Sequence, residues 1–126
     1  MNPVKILIAE DDNISFAYLS ELLRNSNVCI IPAENGRMAL DAIRRDKEIA
    51  LALMDIKMPL MNGFDAAREI RNLRPDIPLI AQTAYALNEE RIRILEAGFN
   101  DYISKPIRRE ELIRLLGKYL PGIFPQ

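Results

Sequence analysis

Four places in this sequence bring together side chains that could do chemistry: Glu10-Asp11-Asp12, Asp55, Thr83 and Lys105. The chain has no histidine. Catalytic triads with a histidine, His-ligated zinc and His general bases are therefore excluded, and only carboxylate, hydroxyl and amine groups remain. Carboxylates brought within a few Å of one another repel and would be partly protonated unless a cation joined them. A hard divalent ion with oxygen ligands answers that need, most naturally Mg²⁺, with Mn²⁺ as the alternative. Mg²⁺ commonly takes one or two carboxylates and a phosphate oxygen, so such an acidic cluster suits a phosphoryl group. Lys105 and the Thr83 hydroxyl would supply further charge and hydrogen bonding. Each residue alone has a plainer use: Asp12 or Asn13 can cap a helix, Thr83 can sit in a turn and Lys105 can be a solvated amine. The chemical reading depends on whether the fold gathers them.

The elements that must position them are legible as alternating apolar and amphipathic runs. VKILIA (Val4 to Ala9) reads as a strand, and the segment from Asn13 to Asn25 spaces Ile14, Tyr18, Leu19, Leu22 and Leu23 as a helix would. VCIIPA (Val28 to Ala33) is followed by a helix capped by Asn35, with Ala39, Leu40, Ala42 and Ile43 inward. IALALM (Ile49 to Met54) leads through the loop IKMPLMNG into the helix FDAAREIRNL. IPLIAQ (Ile77 to Gln82) leads into an Asn88-capped helix NEERIRILEA that Gly98 ends. NDYIS precedes a helix from about Arg109 to Tyr119, with Leu112, Leu115, Leu116 and Tyr119 inward, and Pro121, Gly122 and Pro125 stop it.

Five strand-helix units of roughly 20 to 25 residues predict an α/β domain with a parallel sheet. The first, third and fourth strands are apolar without alternation, as strands covered on both faces are. Pro32 cannot donate to a ladder, which puts the second strand at an edge. The flavodoxin-like order 2-1-3-4-5, a doubly wound three-layer sandwich, places it there. Ligands of such sheets bind beyond the carboxyl ends of the strands, where all four clusters fall.

Composition narrows the function further. A chain of 126 residues fits one domain, 1–126, with residues 120–126 as a tail. Seventeen Lys and Arg against 18 Asp and Glu give a net charge of −1, which argues against direct nucleic-acid binding. The longest uncharged stretch, Ile77 to Asn88, falls short of the ~18 apolar residues of a membrane span. Acids follow the first apolar run too early for a signal peptide, and the lone Cys29 can form no internal disulfide, so a cytoplasmic location is expected.

ILIAEDD, LMDIKMPLMNG, AQTA and DYISKP, in that order at strand ends, resemble the receiver domains of two-component response regulators, over nearly the whole chain. The wording MDIKMPLMNGFDAAREIR is similar to receivers attached to hybrid sensor kinases. The resemblance implies that Asp55 is the phosphoacceptor, attacking a phosphohistidine on a partner histidine kinase or histidine phosphotransfer protein. It implies that Asp11, Asp55 and the Lys57 backbone carbonyl hold Mg²⁺ and that Glu10 holds metal-bound water. Thr83 matches the hydroxyl that moves onto the phosphoryl group, and Tyr102 the aromatic that turns inward with it. The face of the fourth helix, fifth strand and fifth helix would carry the output to a downstream target, with a homodimer formed on phosphorylation as a further expectation. Lys105-Pro106 matches a pair that is usually cis, and Pro59 and Gly63 match the loop after the acceptor, where glycine permits backbone geometry other residues resist.

Finer expectations attach to neighbouring residues. Met58 and Met61 read as packing or partner-contact residues. Arg91, Arg93, Arg108, Arg109, Arg114 and Lys118 read as solvated helix faces interleaved with Glu89, Glu90, Glu110 and Glu111. Lys57 and a bulky Tyr85 match positions that influence attack by water, so a long-lived phospho-Asp55 is expected. Such a domain promotes its own phosphorylation and slow dephosphorylation but is no turnover enzyme. The competitors are a degenerate receiver used as a scaffold and a flavodoxin-like cofactor binder or metal-dependent phosphatase. The glycines form neither GxGxxG nor a P-loop, and Lys57 stands where the aspartyl phosphatases of the haloacid dehalogenase type need a second aspartate.

Overall fold

The computed structural model describes residues 2–84 and 87–124. Strands and helices alternate along the chain: β1 (Val4–Ala9), α1 (Asn13–Leu22), β2 (Val28–Ala33), α2 (Gly36–Arg45), β3 (Ile49–Asp55), α3 (Gly63–Leu73), β4 (Leu79–Thr83), α4 (Asn88–Glu96), β5 (Asp101–Ser104) and α5 (Arg109–Tyr119). The strands form one parallel sheet in the order β2-β1-β3-β4-β5, the flavodoxin-like arrangement expected from the sequence.

Successive strand residues point to opposite faces, and each face is apolar. Leu7, Ala9, Ala52, Met54, Leu79 and Ala81 meet α2, α3 and Ile94 of α4. Ile6, Ile8, Leu51, Leu53, Ile80 and Ile103 meet Leu19 and Leu23 at the α1 end and Leu112 and Leu116 of α5. Burying each large side chain contributes about 1.5–3 kcal/mol. Pro32 lies on the edge strand β2, opposite Ile8, where its missing N–H removes no interior ladder bond. Ile123 also enters the α1/α5 layer, and its carbonyl accepts from Asn27 N at 2.7 Å. Pro125, read as a helix stop, lies outside the described residues.

Local departures from the sequence reading have physical causes. Helix α1 ends at Leu22 rather than Asn25, and its Ile14 and Tyr18 face outward at 80% and 48% exposure. Asp12 caps it, its carboxylate accepting from Ser15 N at 3.2 Å and Ser15 Oγ at 2.7 Å. Strand β4 starts at Leu79 rather than Ile77, because Ile77 N donates into a turn, to Arg74 O, and Pro78 has no N–H to offer. Helix α4 starts with Asn88 as its first residue: Leu87 occupies the cap position, without a side-chain cap, and its carbonyl accepts from Arg91 N at 3.0 Å. Asn35, by contrast, caps α2 as expected, accepting from Met38 N at 2.8 Å.

Candidate functional site

All strands run the same way, so the carboxyl ends of β1, β3, β4 and β5 open at one edge of the sheet and deliver the four clusters there. Asp55, the last residue of β3, is 7% exposed, and Glu10, just past β1, is 4% exposed. Lys105, just past β5, bridges them: its ammonium lies 2.8 Å from Asp55 Oδ2 and 3.2 Å from Glu10 Oε1. Asp55 Oδ1 accepts from Lys57 N at 3.0 Å and Glu10 Oε2 from Asp12 N at 3.2 Å, so both carboxylates are held on two sides. Asp11 is exposed, and one oxygen each of Glu10, Asp11 and Asp55 lie within 4.8 Å of one another.

Three carboxylates against one lysine leave the cluster short of positive charge. Burial pushes the Glu10 carboxyl above its ordinary range and the Asp55 charge adds to that, against the Asp12 N–H and Lys105. Burial works against the Lys105 ammonium, yet its bond to Asp55 and the charges of Asp55 and Glu10 outweigh it and hold the amine above its usual range. An all-oxygen donor set with excess negative charge fits a hard divalent cation.

The loop after β3 closes one side of the site. Gly63 is required there by close approach: a Cβ would sit 2.6 Å from both Asp55 O and Ile56 Cα. The left-handed residue of this loop is instead Leu60, at φ 67°, which corrects the expectation that glycine supplies the unusual backbone. Met58 is buried and Met61 packs against the core, as packing residues do. The Lys105-Pro106 peptide is cis.

Thr83 ends β4 wholly buried, and its hydroxyl donates to Glu90 Oε1 on the first turn of α4. Tyr102, on β5, is half-buried under the Arg91 guanidinium, 5.4 Å from the ring centroid. Arg93 lies 4.4 Å over the Phe64 ring. Arg91 and Arg93 are thus exposed but tied to specific rings, and Glu90 is engaged with Thr83, not merely part of a solvated face. Lys118 likewise pairs with Asp101 at 3.3 Å. The sequence offered one signal for Glu90: it lies in the first turn of the helix that follows Thr83. Tyr85 lies outside the described residues; the Lys57 side chain is exposed beside a cleft of about 560 Å³ that Asp11, Met58, Glu90 and Arg93 also line.

The sequence reading missed two further residues. Arg71 donates to the carbonyls of Gly98 at 2.7 Å, Ile77 at 2.6 Å and Pro75 at 2.9 Å and to Asn100 Oδ1 at 2.7 Å, joining the end of α3 to the α4-β5 turn. Gln82 is wholly buried beside Thr83, with no hydrogen-bond partner for its amide among the described residues. Nothing in the linear spacing marks either one.

With that geometry in hand, comparison with known proteins is decisive: the model of the response regulator receiver domain family matches residues 6–117. The chain belongs to that family. It is 34% identical over 124 residues to hybrid signal transduction histidine kinase I of Dictyostelium discoideum, covering 92% of this chain and 7% of that kinase. This receiver therefore spans a small part of that relative's length. Among solved structures it is similar to the receiver domain of sensor histidine kinase PA1611 from Pseudomonas aeruginosa, with magnesium coordinated in its active site cleft. The TM-score is 0.87 at 33% identity, over 95% of this chain and 99% of that one. It is also similar to a chain of the co-crystal structure of the Saccharomyces cerevisiae histidine phosphotransfer protein Ypd1 with the receiver domain of Ssk1. There the TM-score is 0.86 at 25% identity, over 94% and 89% of the two chains. The receiver is a domain of two-component signalling, and among its described residues no helix is long and apolar enough to cross a membrane.

Proposed function

We propose that this receiver accepts a phosphoryl group on Asp55 from a phosphohistidine of a histidine kinase or histidine phosphotransfer protein and thereby switches the face formed by α4, β5 and α5. The observation that carries the proposal is the cluster of Glu10, Asp11 and Asp55 with Lys105 bridging two of its members. An Asp55 carboxylate oxygen attacks phosphorus, the donor's N–P bond breaks, and the departing imidazole keeps the electron pair and takes up a proton. Phosphoryl transfer chiefly needs positioning and charge neutralisation. Lys105 meets both needs, already fixed on Asp55 and drawn to the new phosphoryl oxygens. Lys57 N–H orients the acceptor carboxylate. Asp11, Asp55 and the Lys57 carbonyl would hold Mg²⁺, with Glu10 on its water; the bound ion would neutralise charge on the transferring group. The magnesium in the PA1611 receiver and the Ypd1–Ssk1 complex support the cofactor and the kind of donor.

Thr83 and Tyr102 form the switch, the Thr83 hydroxyl contacting the phosphoryl group once it is in place. Leu87, Ile92 and Leu95 of the α4 region, at 68%, 56% and 59% exposure, give the output face apolar anchors for a target or a second copy. Lys57 and Tyr85 slow the attack of water; replacing both with small polar residues should speed decay of phospho-Asp55, and an unchanged rate would refute that role.

The test is incubation with acetyl phosphate, with and without Mg²⁺, read by intact mass. One phosphoryl group should add to the wild type only with Mg²⁺, and none to Asp55→Asn. No adduct under either condition would leave the acidic cluster vestigial and favour a phosphate-independent scaffold.

A further inference from the structure

Helix α4 is lightly anchored: of its nine residues only Ile94 is buried. Among the described residues, three side-chain ties bind it to the rest of the molecule near the site, Arg91 on Tyr102, Arg93 on Phe64 and Glu90 on the Thr83 hydroxyl. The third is unlike the other two because its partner is a wholly buried hydroxyl rather than a ring, and a hydroxyl carries one proton, which it donates to one acceptor at a time. We infer that Glu90 is a latch that holds the Thr83 hydroxyl in the unphosphorylated protein, so that a phosphoryl group on Asp55 must replace Glu90 as the acceptor of this hydrogen bond before α4 can move. The inference rests on the proposed switching role of Thr83 and adds the group that opposes it. Both competing acceptors are anionic, and Glu90 lines the same cleft as Asp11 and Lys57, so the carboxylate and a dianionic phosphoryl group also repel. The two arrangements exclude each other, and the strength of the Glu90 bond sets how much of the resting state must be overcome. Glu90 is in this sense a positioning residue.

The experiment titrates beryllofluoride, a phosphoryl mimic, into the Mg²⁺-loaded protein. Tyrosine fluorescence is the readout, since the chain has four tyrosines and no tryptophan. A hydrogen bond to a charged acceptor is strong enough that Glu90→Ala should lower the half-response concentration by about tenfold. Glu90→Gln keeps an acceptor oxygen without the charge and should fall between. Glu89→Ala, which removes the neighbouring first-turn acid without touching the Thr83 bond, should leave the midpoint in place. In a Thr83→Val background, Glu90→Ala should no longer shift it, the signature of a shared interaction. A wild-type response with an unshifted Glu90→Ala midpoint, or a shift that persists with Thr83→Val, would overturn the latch alone. No response in the wild type would overturn the phosphoacceptor reading itself.

Discussion

Replacing Asp11 with asparagine tests whether the acidic cluster is electrostatically crowded and whether Asp11 is a metal ligand. Glu10, Asp11 and Asp55 can bring oxygens within 4.8 Å of one another. At that separation a like-charge pair repels by about 0.9 kcal/mol in bulk water and about 3.5 kcal/mol at an effective dielectric of 20. Asp11 is exposed, so the smaller figure applies. Removing its charge relieves two such repulsions, offset in part by a lost attraction to Lys105, which bonds Glu10 and Asp55 instead, for a net gain of about 1 kcal/mol in metal-free protein. In EDTA, Asp11→Asn should therefore unfold at a higher urea concentration than the wild type, by about 0.5–1 M for a domain of this size. Mg²⁺ at a hundredfold over its Kd should add about 2.7 kcal/mol to the wild type and much less to the variant, reversing their order. A variant no more stable than the wild type in EDTA would refute the crowding; an undiminished Mg²⁺ increment would refute Asp11 as a ligand.

Arg71→Lys should destabilise the domain by about 2–4 kcal/mol, because an ammonium cannot reach the acceptors that the guanidinium fork spans; an unfolding free energy from urea titration within about 0.5 kcal/mol of wild type, on the order of experimental error, would show those bonds to be idle. Gly63→Ala must push the start of α3 away from the Asp55–Ile56 peptide, costing about 1–3 kcal/mol and slowing Asp55 phosphorylation by acetyl phosphate, which mass spectrometry over time would show. The Lys5 ammonium, 2.9 Å from Asp46, holds that carboxyl below its ordinary range. A depressed acid contributes stability that is present above its unfolded value and lost as pH falls through its folded one. The advantage of wild type over Asp46→Asn should thus be present at pH 7 and shrink below about pH 4. An equal advantage at both would mean the contact acts without its charge.

How much was legible beforehand follows from the range over which each feature is encoded. Strand runs, the Asn35 cap and the span of α5 are set by neighbours within a turn or two, and Pro32 alone marked β2 as an edge strand, because a missing donor is a local fact. The same holds for the candidate site residues at the strand ends. A parallel sheet sends every carboxyl end to one side, so Glu10, Asp11, Asp55, Thr83 and Lys105 could be gathered from sequence order alone. Tertiary structure alone decided which way Ile14 and Tyr18 face, since helical spacing fixes a stripe but not the orientation of α1 on the sheet. It alone showed that Leu60, not Gly63, takes the left-handed turn, and that Gly63 is needed because two backbones nearly touch. It alone joined Arg71 to Asn100, and Thr83 to Glu90. Those contacts span turns and layers, and the choice among polar partners at such distances is made by the packing of the core beneath them.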